Sequence, residues 1–191
     1  MTFHAHKTFP AISHHDDGAV ATAATPPPNN MAPLTTARRV QWNGAKHQDA
    51  VDLLREKGKM IVTPTKVGYI IMVSDFTGLQ RKFKAKQRAA NKPSVVLCSS
   101  IGQLHELAEL NDEIQALYQA AWDNDILLGC ILPWKKLARH HIPDDGSQSM
   151  MMDRRGTSCF VIKYGAPSEL ITRELWNEHG KIVASNPRSQ R

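Results

Sequence analysis

The stretch GKMIVTPTKVGYIIMVSD, residues 58–75, constrains the fold more than any other part of the chain. Two apolar runs, Met60-Ile61-Val62 and Tyr69-Ile70-Ile71-Met72-Val73, flank a turn that carries Thr63, Pro64, Thr65 and Lys66. Short runs rich in branched and aromatic residues read as neighbouring buried strands. The polar, cationic turn between them is then a place where a strand pair can hold a ligand.

Elements alternate along the rest of the chain. Ala50, Val51, Leu53 and Leu54 recur at helical spacing, and Gly58 stands where a left-handed helix cap is wanted. A second helix is expected through FTGLQRKFKAKQR, followed by a short strand over residues 94–98. Ser100 and Gln103 have the spacing of a capping box, so a helix should run to Leu110; Asn111, Asp112 and Glu113 open the next one. ILLGCIL and TSCFVIKY read as two more strands, with a polar loop around HHIPDDGSQSMMMDRRG between them. A helix from Pro167-Ser168-Glu169 ends at Gly180, and Lys181-Ile182-Val183-Ala184 forms a last strand. Strands interleaved with helices predict an α/β or α+β layer fold whose sheet is part parallel and part antiparallel.

A chain of 191 residues fills one core, and residues 1–39, rich in Ala, Thr, Pro and His, carry no apolar periodicity. The expectation is a disordered leader over 1–39 and one domain over 40–191. Cys98, Cys130 and Cys159 are far apart, without a C-x-x-C pair, which argues against a disulfide framework or a zinc ribbon and for a reduced, intracellular protein, expected in the cytoplasm. No apolar run is long enough to span a bilayer, so no membrane is expected as a partner. The net charge of +6 favours anionic partners such as nucleotides or RNA.

That charge is concentrated. Arg81, Lys82, Lys84, Lys86, Arg88 and Lys92 fall within one short segment, and on a helix Lys82 and Lys86 share one face while Lys84 and Arg88 share another. Such a run is either a solvated helix surface or a phosphate-binding face, where neutralisation by phosphate relieves the mutual repulsion.

In order and spacing, TPTKVGYII, KAKQRAANKPSVVL, the region of Trp122, CFVIKYGAP and GKIVASNP resemble the YrdC-like family over roughly residues 45 to 188. The family pattern runs P-T-D/E-T-x-Y-G-L, K-x-R with a following K-P, W-P-G-P, a V-R-x-P strand and S-A-N. The resemblance implies a YrdC-like twisted mixed sheet with flanking helices and a concave basic face. It also implies an activity like that of threonylcarbamoyl-AMP synthase, which joins threonine, bicarbonate and ATP into an adenylate for tRNA modification and releases pyrophosphate. ATP would be a substrate, accompanied by Mg2+, with no tightly bound cofactor; tRNA or double-stranded RNA would be further partners. Carried over by motif, the substrate and nucleotide site comprises Thr65, Tyr69, Lys86, Arg88, Lys92, Lys163, Ser185 and Asn186. No catalytic residue is assigned.

Several positions depart from the pattern. Lys66 replaces the acidic residue, Val67 the next threonine and Ile70 a glycine; Asp123-Asn124-Asp125 follows Trp122 in place of P-G-P; Lys163 stands for arginine. Family members also continue past the position of Arg191, implying a missing closing element. Each match has a structural alternative: Tyr69 as core filler, Pro64 as turn former, Ser185 and Asn186 as a strand end. The competing function is therefore a non-catalytic module that holds nucleotide or double-stranded RNA. His140, His141, Asp144 and Asp145 could suggest a metal site, but adjacent histidines rarely aim at one ion, and none is assigned.

Overall fold

The computed structural model describes residues 38–45, 47–87 and 93–185. The chain divides into units 1–39 and 40–191, and all of the first but Arg38 and Arg39 lies outside the described residues, as do His4, His6, His14 and His15.

In the second unit, side chains that alternate across the strands build a sheet whose inner strands are covered on both faces, while the strand at one edge leaves Ile131 67% exposed. Its strands are β3 (Val95–Leu97), β4 (Leu128–Pro133), β5 (Thr157–Ile162) and β6 (Val183–Ser185), in the order β4-β5-β3-β6. β3 and β5 are parallel, and the other two pairings are antiparallel, as the mixed pattern of the sequence predicts. Val96, Phe160, Ile162 and Ala184 enter one apolar cluster with Leu79, Phe83, Leu104 and Tyr118; Val95, Leu97 and Val183 enter a second with Val51, Leu54 and Leu175. Flanking helices cover the faces: α1 (Gln48–Arg55) and α6 (Ser168–His179) supply the second cluster, while α2 (Phe76–Ala85), α3 (Ile101–Leu107) and α4 (Asp112–Asp123) supply the first. Tyr118 locks α4 to the sheet: its hydroxyl donates to the Phe160 carbonyl at 2.8 Å and accepts from the Cys130 amide at 2.9 Å.

The hairpin of β1 (Ile61–Thr65) and β2 (Gly68–Met72) forms its own two-stranded sheet, joined to β6 through the bridge between Val73 and Ala184. Thr63, Ile70 and Met72 are buried, but Val62, Val67 and Tyr69 are exposed, so the two runs are half-buried strands rather than fully buried ones. Tyr69, 74% exposed, does not fill the core.

Local signals place the helix starts well. Asp75, Ser100 and Asn111 accept from the amides of Gly78, Gln103 and Ile114, each satisfying a free first-turn donor. The capping box is displaced by one residue: the Gln103 side chain accepts from Ser99, from its amide at 2.8 Å and its hydroxyl at 3.0 Å. Helix ends are set by packing. α1 stops at Arg55, three residues before Gly58; α2 stops at Ala85; α3 stops at Leu107, where Ala108 pairs with Trp134. The polar loop after β4 is also more ordered than its composition suggests. It contains a 3-10 turn over Lys136–His141 and the short helix α5 (Gln148–Met151), and it buries Ala138, Ile142, Met150, Met151 and Met152.

The basic segment is not a uniform solvated surface. Lys82 is fully buried and donates to Ser94 Oγ at 3.0 Å, whereas Lys84 is exposed and Lys86 half-buried at the helix end. Four residues separate Lys82 from Lys86, but the first faces the core and only the second reaches the surface.

Candidate functional site

Three segments distant in sequence meet at the tip of the hairpin. The Lys66 amide donates to the Tyr164 carbonyl at 2.9 Å, which docks the β1–β2 turn on the residues that follow β5. Gly165 makes the approach possible: a Cβ there would stand 3.2 Å from Lys66 Cγ, and its φ of +98° is unfavourable for other residues. Behind the turn, the buried Ser168 hydroxyl donates to the Pro64 carbonyl at 2.7 Å and lies 3.1 Å from Thr63 Oγ1. Ser168→Ala should cost about 1–3 kcal/mol, because it leaves the Pro64 carbonyl without its donor and the Thr63 hydroxyl without its acceptor. Denaturant midpoints would measure the loss, and hydrogen exchange should place it in the hairpin.

The Lys66 side chain crosses to the turn after α4. Its Nζ lies 2.7 Å from Asp125 Oδ2 and donates to the Asp125 carbonyl at 2.5 Å. Lys163 approaches from the end of β5, with Nζ 3.5 Å from Asp125 Oδ1 and 4.2 Å from the centre of the Trp122 ring. Asp125 and Lys163 both have left-handed backbones, with φ of 54° and 55°, a conformation that costs energy for residues other than glycine.

Hydrogen bonding from Lys66, and then the charges of Lys66 and Lys163, hold the Asp125 carboxyl below its ordinary 3.8. The folded value lies below the unfolded one, so this contact supports the fold fully above the unfolded value and is lost only as pH falls through the folded one. The link from hairpin to α4 should therefore be unchanged between about pH 7 and pH 5. A carbon-detected titration of Asp125 should have its midpoint below 3.8.

Thr65 sits at this tip, but its hydroxyl closes its own turn, donating to the Gly68 carbonyl at 2.7 Å and accepting from the Val67 amide at 3.3 Å. Tyr69, paired with Pro64, presents its ring to solvent nearby. Ser185 lies elsewhere. It shares a row of the sheet with Val95 and Cys159, while Lys163 lies four residues after Cys159, just past the end of β5. Ser185 is buried, and its hydroxyl has no hydrogen-bond partner among the described residues. Lys86 closes α2 on the approach to β3. Arg88, Lys92 and Asn186 lie outside the described residues.

The residue that sequence reasoning missed is Asp125. Its signal was a pair of departures: a lysine where the hairpin motif has an acid, and new carboxylates where the Trp122 motif has none. In the fold the two meet as one ion pair.

Other candidates resolve into structural contacts. His141 Nε2 lies 3.0 Å from Glu106, the His140 ring sits against that of His141, and Asp145 accepts from the Phe76 amide. Among the described residues no three His, Cys, Asp or Glu side chains converge as a metal site. Cys98 is buried, and Cys130 and Cys159 are half-buried; burial raises the Cys98 and Cys159 thiols, which disfavours the reactive thiolate. An open groove of about 610 Å3, lined by Asp52, Arg55, Glu56, His179 and Lys181, contains none of the residues proposed from the sequence. No described helix is long and apolar enough to cross a membrane.

The profile of the Sua5, YciO and YrdC family, described as "Telomere recombination", matches residues 53–185. A hypothetical protein from Streptococcus mutans has a solved structure with a TM-score of 0.74 and 51% identity, over 77% of this chain and 58% of that one. YciO of E. coli matches with a TM-score of 0.55 and 20% identity, over 72% of this chain and 61% of that one. Sua5 of P. abyssi, solved with L-threonine, matches with a TM-score of 0.50 and 23% identity, over 72% of this chain and 36% of that one. The chain thus spans less than two thirds of the length of these relatives. No curated protein matches it.

Proposed function

The chain belongs to the Sua5, YciO and YrdC family, and from that premise we propose that it is a nucleotide-binding protein of the threonylcarbamoyl-AMP synthase type whose acceptor corner has been remade. ATP is the nucleotide. In the parent reaction the threonine amine and bicarbonate condense to a carbamate with loss of water. A carbamate oxygen then attacks the α-phosphorus of ATP, and pyrophosphate leaves. Among the described residues no group of carboxylates gathers as a metal site, so Mg2+ would arrive with the triphosphate.

One observation carries the reading: Lys66, Asp125 and Lys163 meet at the hairpin tip, where the family pattern places substrate residues. Two ammonium groups share one carboxylate, so the corner keeps a positive charge. It favours phosphate and carboxylate and opposes the ammonium group of a free amino acid. The Thr65 hydroxyl, engaged in its own turn, offers the amino acid little in return. The same features favour the second reading, nucleotide binding without turnover, with double-stranded RNA or tRNA as further anionic partners.

The test is pyrophosphate release from ATP, threonine and bicarbonate, beside calorimetric titration of ATP. ATP should bind, and threonine-dependent release should be near background. Lys66→Glu alone would set its carboxylate against Asp125, so release should rise only when Asp125→Asn accompanies it. Robust turnover by the unmodified chain would overturn the claim of a remade corner, and absence of ATP binding would overturn the nucleotide reading.

A further inference from the structure

The three charged groups of the hairpin corner are not equally exposed. The side chain of Lys163 is 18% exposed and that of Lys66 33%, whereas that of Asp125 is 69% exposed. The carboxylate is thus the most exposed member, paired with a half-buried Lys163 and with Lys66 at the exposed turn. The Trp122 ring sits beside Lys163, and the Tyr164 carbonyl fixes the backbone of Lys66. Among the described residues, Asp125 supplies the carboxylate within ion-pair distance of either lysine. Glu169, the other acid at this corner, accepts from the Gly165 amide at 2.8 Å instead.

An exposed carboxylate that bridges a half-buried lysine and an exposed one, both anchored by the fold, has the arrangement of a ligand in a site. Surface ion pairs are weak, so a dissolved anion can compete with Asp125 for the same two groups. The left-handed backbones at Asp125 and Lys163 are maintained despite their cost, and such strain collects where function needs a fixed geometry. We propose that Lys66 and Lys163 form a subsite for a small carboxylate with no ammonium group beside it, and that Asp125 is the built-in occupant of that subsite when no ligand is bound. This deepens the nucleotide reading and rests on it for the corner's place as the acceptor end of the site. A free amino acid is a poor ligand because its ammonium group meets two others; a dicarboxylate is a better one because its second charge also meets the residual positive field.

Malonate is the probe, titrated into the 15N-labelled full chain at low salt, with chloride at equal ionic strength as the screening control. Malonate should shift the amides of Lys66, Asp125, Lys163 and Gly165 saturably, and threonine at the same concentrations should not. Asp125→Asn should tighten malonate binding at least threefold by removing the internal competitor, and Lys163→Met should abolish it. No saturable shift at these amides in the unmodified chain, which requires no variant to fold, overturns the proposal. Equal shifts with threonine, or weaker malonate binding by Asp125→Asn, also overturn it. ATP is titrated separately: malonate binding without ATP binding leaves the subsite standing and removes the nucleotide reading, and ATP binding without malonate binding does the reverse.

Discussion

A Lys86→Ala, Arg88→Ala double variant is expected to bind ATP roughly ten- to a hundredfold more weakly than the unmodified chain. Charge-assisted hydrogen bonds to phosphate contribute about 1.5–3 kcal/mol each, and losses at neighbouring groups overlap, so the pair should cost roughly 1–3 kcal/mol. Lys86 closes α2 at its boundary, where it is half-buried. The affinity of the unmodified chain should also fall steeply with salt as condensed counterions are released, most of all with double-stranded RNA. Arg38→Ala with Arg39→Ala is the control. Anisotropy titrations at two salt concentrations decide the matter: equal loss in both double variants means diffuse attraction and no phosphate site at the end of α2.

The largest loss of stability should follow Trp134→Ala. Trp134 is 1% exposed, packs on Phe160 at a ring separation of 5.0 Å and donates from Nε1 to Ser158 Oγ at 2.6 Å. Its backbone amide donates to the Gly156 carbonyl at 3.0 Å, and its bridge to Ala108 ties the end of α3 to the loop after β4. Removing the indole should cost about 3–5 kcal/mol through lost burial and a cavity that rigid neighbours cannot fill. That is a large fraction of the 5–15 kcal/mol typical of a domain, so the denaturant midpoint should drop sharply or the variant should fail to fold. A loss below about 1 kcal/mol would mean that the loop with Met150, Met151 and Met152 collapses into the space.

Ser100 and Asn111 were readable as helix starts because an N-cap needs only its own side chain and an amide two or three residues on. The strand character of TSCFVIKY was equally plain, since the continuous apolar run Cys159-Phe160-Val161-Ile162 records packing on both faces of β5. Tyr69 was harder. Its run is apolar throughout, and apolar composition does not say that β2 lies in a separate hairpin with one face open to solvent. Thr63, Pro64 and Thr65 were read as turn residues, but they belong to β1 and the turn is Lys66-Val67; the partner of the Thr65 hydroxyl depends on the pairing with Gly68 that closes it.

By itself the sequence determined the succession of helices and strands, the mixed sheet and the family, because propensity, capping and hydrophobic period act over a few neighbouring residues. Only the tertiary structure decided what the charges do. Lys82 and Lys86 look alike on a helical wheel, yet the packing of α2 buries the first against Ser94 and leaves the second half-buried at the helix end. Lys66 and Asp125 are 59 residues apart, and Lys163 is further still. Coulombic pairing depends on distance in space, and that distance is fixed by strand register and by the docking of the hairpin on Tyr164. A one-dimensional pattern carries no record of either, so two separate departures in the sequence become a single cationic corner only in the folded chain.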